Sequence, residues 1–94
     1  MKHLVWSSTF VRAFNRSTKR DQALKKKTEN ALRQLAEDPF HPTLHSHKLK
    51  GELAGVWACT IDHDNRILFE FVRNPDNYKE EIYLLTMGTH DEVY

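Results

Sequence analysis

The chain is 94 residues long, 39% hydrophobic and 29% charged, enough for one thin hydrophobic core and too little for a second domain. No apolar run approaches the roughly 20 residues that cross a bilayer, and the opening Met1-Lys2-His3-Leu4-Val5-Trp6 has no apolar signal segment, so a cytoplasmic protein without a membrane partner is expected. Net charge is only +1, yet residues 1–50 hold eleven Lys and Arg against four Asp and Glu, while residues 51–94 hold three against nine.

In chain order, Lys2 to Ser7 reads as a short strand, and Ser7-Ser8 supplies the hydroxyl that caps a following helix. That helix runs from Thr9 to about Lys19, with Phe10, Ala13 and Phe14 on one side and Arg12, Arg16 and Lys19 on the other. Asp21 can cap a second helix reaching about Glu37, with Leu24, Thr28, Ala31, Leu32 and Leu35 inward. Asp38-Pro39 ends it, since a residue before proline is pushed out of the helical region.

Phe40 to Ser46 is a loop, and His47-Lys48-Leu49-Lys50-Gly51 leads into a sheet. Strands follow at about Val56–Asp62, Arg66–Arg73 and Glu81–Met87, separated by turn-forming residues at Asp62-His63-Asp64-Asn65 and Asn74-Pro75-Asp76-Asn77. A three-residue loop His63-Asp64-Asn65 would pair Asp62 with Arg66, Ile61 with Ile67 and Thr60 with Leu68, matching apolar partners. Trp57, Cys59, Ile61, Ile67, Phe69 and Phe71 then face the helices, and Thr60, Arg66, Leu68 and Glu70 line the opposite face. The expected fold is α+β: an N-terminal strand and a two-helix hairpin on one face of an antiparallel sheet, in the order β-α-α-β-β-β, spanning residues 1–94 as one domain. The single Cys59 cannot form an internal disulfide and is read as core filler in a reducing compartment.

Clustered Lys and Arg displace counterions from phosphates, so the basic N-terminal half points to a polyanion, with Lys25, Lys26 and Lys27 as a binding patch or, taken alone, a solvated helix surface. Metal-independent RNA cleavage needs a base for a 2′-hydroxyl proton, cations for the phosphorane-like transition state, and an acid for the leaving 5′-oxygen. Histidine suits acid and base work near neutral pH. His47 enters the sheet and His90 follows its last strand, so both can reach the face away from the helices. Lys48, Lys50 and Arg66 can supply positive charge beside a scissile phosphate. Asp64 could orient a histidine or act as a base, and Tyr94 could stack a base or donate its hydroxyl. The plainer readings make Asp64 a turn residue, pair Arg66 with Asp62 across the hairpin and let Tyr94 pack. A zinc site at His41, His45 and His47 lacks the paired cysteines of structural sites, and neither metal nor cofactor is expected.

The element order, with His47-Lys48-Leu49-Lys50-Gly51, Gly55-Val56-Trp57, Asp64-Asn65-Arg66-Ile67-Leu68-Phe69 and the closing Gly88-Thr89-His90-Asp91-Glu92-Val93-Tyr94, resembles the RelE/ParE superfamily of toxins, in its YafQ-like RelE/StbE branch. The resemblance implies a type II toxin that enters the ribosomal A site, beside 16S rRNA, and cuts mRNA during translation until a cognate antitoxin silences it. It further implies His47 as general base, Asp64 and His90 at catalytic positions with His90 the acid, and Tyr94 holding the substrate nucleotide. Thr60 departs from relatives that place Arg or His there, leaving Arg66, Lys48 or Lys50 to stabilise the transition state. The alternatives are a ParE-like gyrase inhibitor that binds without cutting and a non-toxic module that holds RNA or protein.

Overall fold

The computed structural model describes residues 1–94. Strand β1 (His3–Trp6) leads into helix α1 (Ser8–Thr18), which starts where the Ser7 hydroxyl accepts the Phe10 N–H at 3.0 Å. Helix α2 (Gln22–Glu37) starts in the same way, with the Asp21 carboxylate accepting the Leu24 N–H at 2.9 Å, and stops at Asp38, whose backbone is extended before Pro39. Both apolar stripes are buried as the spacing requires: Phe10 and Ala13 from α1, and Leu24, Thr28, Ala31, Leu32, Leu35 and Ala36 from α2. Buried Thr28 donates its hydroxyl to the Leu24 carbonyl at 2.8 Å, so this polar group enters the core without an unmet hydrogen bond.

A 3₁₀ turn at Pro42–Leu44, strand β2 (His47–Lys48) and a second 3₁₀ turn at Gly51–Leu53 precede β3 (Trp57–Thr60), β4 (Asn65–Arg73) and β5 (Glu80–Thr89), and helix α3 (His90–Val93) closes the chain. The sheet order is β1-β5-β4-β3-β2. The fold is α+β as expected, but the sheet is mixed: β2 to β5 are antiparallel, while β1 lies parallel to β5, with Leu4 opposite Ile82 and Trp6 opposite Leu84. The two helices separate β1 from its neighbours in sequence, so no hairpin constrains its direction. It docks beside the last strand instead, where the Ser7 hydroxyl donates to the Leu85 carbonyl at 3.2 Å.

The β3–β4 register differs by two residues from the expected one. Thr60 pairs with Arg66, Cys59 with Ile67 and Trp57 with Phe69. Asp62 causes the shift, because its carboxylate accepts the backbone N–H groups of Asp64 (3.0 Å) and Asn65 (2.9 Å) and the Asn65 side-chain amide (3.0 Å), which curls Ile61 and Asp62 out of the ladder. A shift of two preserves side-chain parity, so Trp57, Cys59, Ile67, Phe69 and Phe71 still face the helices. Between β4 and β5 the register breaks after Leu68: Leu68 pairs with Thr86 and Phe69 with Leu84, leaving Leu85 as a bulge. The extra residue lets Ile82, Leu84 and Met87 all reach the core despite their uneven spacing. On the far side of the sheet, Ala58 and Leu68 are also buried, so that face is only partly open. No helix is long and apolar enough to cross a membrane.

Candidate active site

The β4–β5 pairing sets Arg66 opposite Gly88 and Asn65 opposite Thr89, and the chain turns at once into α3. His90 therefore leaves the sheet beside Arg66, and one helical turn later Tyr94 lies edge-on against it, ring centroids 4.5 Å apart at 74°. Strand β2, at one edge of the sheet beyond β3, adds His47 from the other side of Arg66. The result is a cleft of about 380 Å³ lined by His47, Leu49, Lys50, Leu53, Arg66, His90 and Tyr94. Arg66 and His90 also wall a second cleft of about 440 Å³, formed with His63, Asp64, Asn65, Thr89 and Asp91. Five expected residues, His47, Lys50, Arg66, His90 and Tyr94, thus share one cleft, and Asp64 lies across the Arg66–His90 wall from them.

His47 is exposed, with Nδ1 at 3.0 Å from the carbonyl oxygen of His45. A carbonyl only accepts, so Nδ1 carries the proton and a neutral His47 keeps its Nε2 lone pair available to take another. His45 presents that carbonyl from a left-handed backbone conformation (φ 48°). Arg66 spends Nη1 on three carbonyls of its own hairpin loop, those of Asp62 (3.0 Å), His63 (3.2 Å) and Asn65 (3.2 Å). Nε and Nη2 have no protein partner, so a guanidinium anchored on one side offers its other edge to the clefts. Arg66 does not pair with the Asp62 carboxylate as one sequence reading had it. That carboxylate instead organises the loop and meets Lys27 Nζ at 3.7 Å. Partial burial pulls the Asp62 carboxyl upward, but the Asn65 amide, the Asn65 and Asp64 backbone N–H groups and Lys27 outweigh it and hold it below the ordinary aspartate range.

The turn role considered for Asp64 belongs to Asp62, which leaves the exposed Asp64 carboxylate uncommitted at the rim of the second cleft. His90 is largely exposed, with Nδ1 3.7 Å from Asp91, too far for a hydrogen bond that would fix its tautomer. Lys48 is directed elsewhere: its ammonium stands 5.8 Å from the centre of the Trp57 ring. Lys25, Lys26 and Lys27 lie on α2, and none lines either cleft. His41 caps its own 3₁₀ turn through the Thr43 N–H at 3.2 Å, and no three His, Cys, Asp or Glu side chains are grouped to hold a metal ion. Cys59 is fully buried and desolvation pushes its thiol up to about 12, partly offset by a hydrogen bond with the Ile67 backbone, so it is no nucleophile. Sequence reasoning read His63 only as a turn residue and passed over Leu49, Leu53 and Asp91, which reach the clefts through the chain around the Gly51–Leu53 turn and through α3. Neither short element has a periodicity that could announce it.

Two helices over a five-stranded mixed sheet, together with a family match over nearly the whole chain, make this a toxin of the RelE/ParE superfamily. Residues 2–94 match the family described as the bacterial toxin of type II toxin–antitoxin systems, YafQ, and the chain belongs to that family. Among solved structures it is similar to a YoeB/ParE toxin from Agrobacterium tumefaciens (TM-score 0.77, 21% identity, 96% of this chain and 99% of that one). It is also similar to the DinJ–YafQ complex of E. coli (TM-score 0.78, 14% identity, 100% and 99%). The YoeB–YefM complex of Staphylococcus aureus follows (TM-score 0.73, 16% identity, 96% and 98%). At these identities the likeness establishes the fold. No curated protein sequence matches the chain.

Proposed function

We propose that residues 1–94 form a single-domain, cytoplasmic endoribonuclease that enters the ribosomal A site, cuts mRNA under translation and is silenced by a cognate antitoxin. The observation that carries this reading is the meeting of His47, with its Nε2 lone pair available, and His90 in one cleft with Arg66 and Tyr94. His47 Nε2 takes the proton of a ribose 2′-hydroxyl, and the oxygen attacks the adjacent phosphorus. Arg66 and Lys50 offset the charge that gathers on the phosphoryl oxygens. The bond to the 5′-oxygen breaks as His90 delivers a proton to it, leaving a 2′,3′-cyclic phosphate and a 5′-hydroxyl. Tyr94 stacks the base of the attacked nucleotide, and Asp64 orients His90 across the shared wall. His47, Lys50, His90 and Tyr94 are exposed and Arg66 is half-buried, and the ribosome supplies what the open cleft lacks by holding the mRNA near attack geometry. Lys25, Lys26 and Lys27 meet ribosomal RNA away from the cleft, and Lys48, beside Trp57, adds to that basic surface. The DinJ–YafQ and YoeB–YefM complexes support the antitoxin as partner.

Mapping mRNA 5′ ends in a reconstituted translation reaction tests the reading. Cuts at fixed codon positions that require ribosomes and disappear with His90→Ala are expected. Intact mRNA would instead point to gyrase inhibition or to simple binding.

A further inference from the structure

Helix α3 begins at His90 and is capped by Tyr94, yet it is four residues long and buries none of them. A helix that short does not sustain itself, because fixing the first turn costs more than its one hydrogen bond returns. Its single internal closure is Tyr94 N–H to the His90 carbonyl at 3.0 Å. What restrains its start is Glu92, whose carboxylate folds back to accept the Thr89 N–H at 2.8 Å in the Thr-x-x-Glu arrangement of a capping box. Gly88 makes room for this return. A Cβ at Gly88 would stand 3.0 Å from Glu92 Oε1, 3.1 Å from its Cβ and 3.3 Å from its Cδ. The Thr89 backbone N–H and then its hydroxyl hold the Glu92 carboxyl below the ordinary glutamate range, and Arg16 on α1 adds attraction at longer range.

We infer that Glu92 is a positioning residue for the cleft: through Thr89, and in the space left by Gly88, it fixes the turn that aims His90 and Tyr94 at Arg66. The inference rests on the nuclease reading for its catalytic consequence, and on geometry alone for its structural one. It gives the closing Gly88-Thr89-His90-x-Glu92 pattern one physical purpose. Glycine clears space for the carboxylate, threonine is capped, and histidine is the first residue the cap orients.

The test uses the full chain and three variants, Glu92→Ala, Glu92→Gln and Gly88→Ala. In the free protein, the His90 ring protons feel the ring current of Tyr94, so their NMR shifts report the turn directly. Glu92→Ala and Gly88→Ala are expected to move those shifts toward free histidine, while Glu92→Gln, whose amide oxygen can accept the same bond, keeps them. On translating ribosomes, Glu92→Ala should lower kcat by about 10²-fold with KM unchanged, as misplacement of a reacting group does, and Glu92→Gln should restore it. Thermal unfolding of the Glu92 variants should match wild type, since α3 buries no residue. Unchanged His90 shifts in Glu92→Ala would overturn the inference, as would Glu92→Gln behaving like Glu92→Ala. A wild-type chain that leaves mRNA intact would count against the nuclease reading, and the NMR arm would still decide the role of Glu92.

Discussion

Asp62 and Arg66 divide one loop between them. The carboxylate gathers the loop's donors, the guanidinium gathers its acceptors, and the exposed edge of Arg66 is held toward the clefts as a result. Asp62→Ala leaves two backbone N–H groups without their acceptor and should cost about 1–2 kcal/mol, read as a lower denaturant midpoint. Because the folded-state carboxyl titrates below its ordinary value, its contribution is complete above that value and fades as pH falls through the folded value. Stability of the wild type should therefore drop more steeply below about pH 4 than that of Asp62→Ala, measured by urea unfolding across the acid range. The Lys27 contact, 3.7 Å long and largely exposed, adds little to this difference. His47 and His90, by contrast, were singled out in the sequence by their chemistry and by the motifs around them, since six histidines are too many for rarity to select two, and only the fold brings both to one cleft. The capacity of His47 to act as base was not legible there, since it depends on the His45 carbonyl at 3.0 Å.

The elements divide into those that local chemistry announces and those that only the assembled sheet creates. Helices α1 and α2 were legible in their caps and apolar stripes, and the structure finds Ser7, Asp21 and Pro39 in those roles. Strand β2 has two residues and α3 four, too few for any period to register. Both matter for the clefts, since β2 supplies His47 and α3 supplies His90. The β3–β4 hairpin shows the limit clearly. Pairing apolar partners gave the right faces, but Asp62 chose the loop length, and a turn residue competing for backbone donors outweighed the cross-strand match. In β5, the run Tyr83-Leu84-Leu85 hid the bulge, because three consecutive large side chains read equally well in either phase.

Across the whole molecule, the uneven charge of the sequence becomes a spatial division. The basic first half builds both helices, β1 and β2, while the acidic second half builds β3 to β5 and α3. Ion pairs join the two halves at Lys2–Glu80 (2.9 Å) and Lys27–Asp62 (3.7 Å). Lys25 and Lys26 take no part in these pairs and remain available to a polyanion. Reversing both to glutamate should weaken ribosome association and flatten its dependence on salt, leaving the fold intact, as measured by sedimentation with ribosomes at several ionic strengths. Association with an unaltered salt slope would reduce them to a solvated surface. The uneven charge was legible in the residue count, whereas the placement of Lys25, Lys26 and Lys27 outside the lining of both clefts required the fold.

The claim that His90 donates a proton to the leaving oxygen has a direct chemical test. Sulfur in place of the bridging 5′-oxygen at the cut leaves without protonation. Single-turnover cleavage on ribosomes programmed with either mRNA isolates the acid. His90→Ala should lose about 10²–10⁴-fold on the oxygen substrate and close to nothing on the sulfur substrate. An equal loss on both would contradict the assignment and remove His90 from proton transfer.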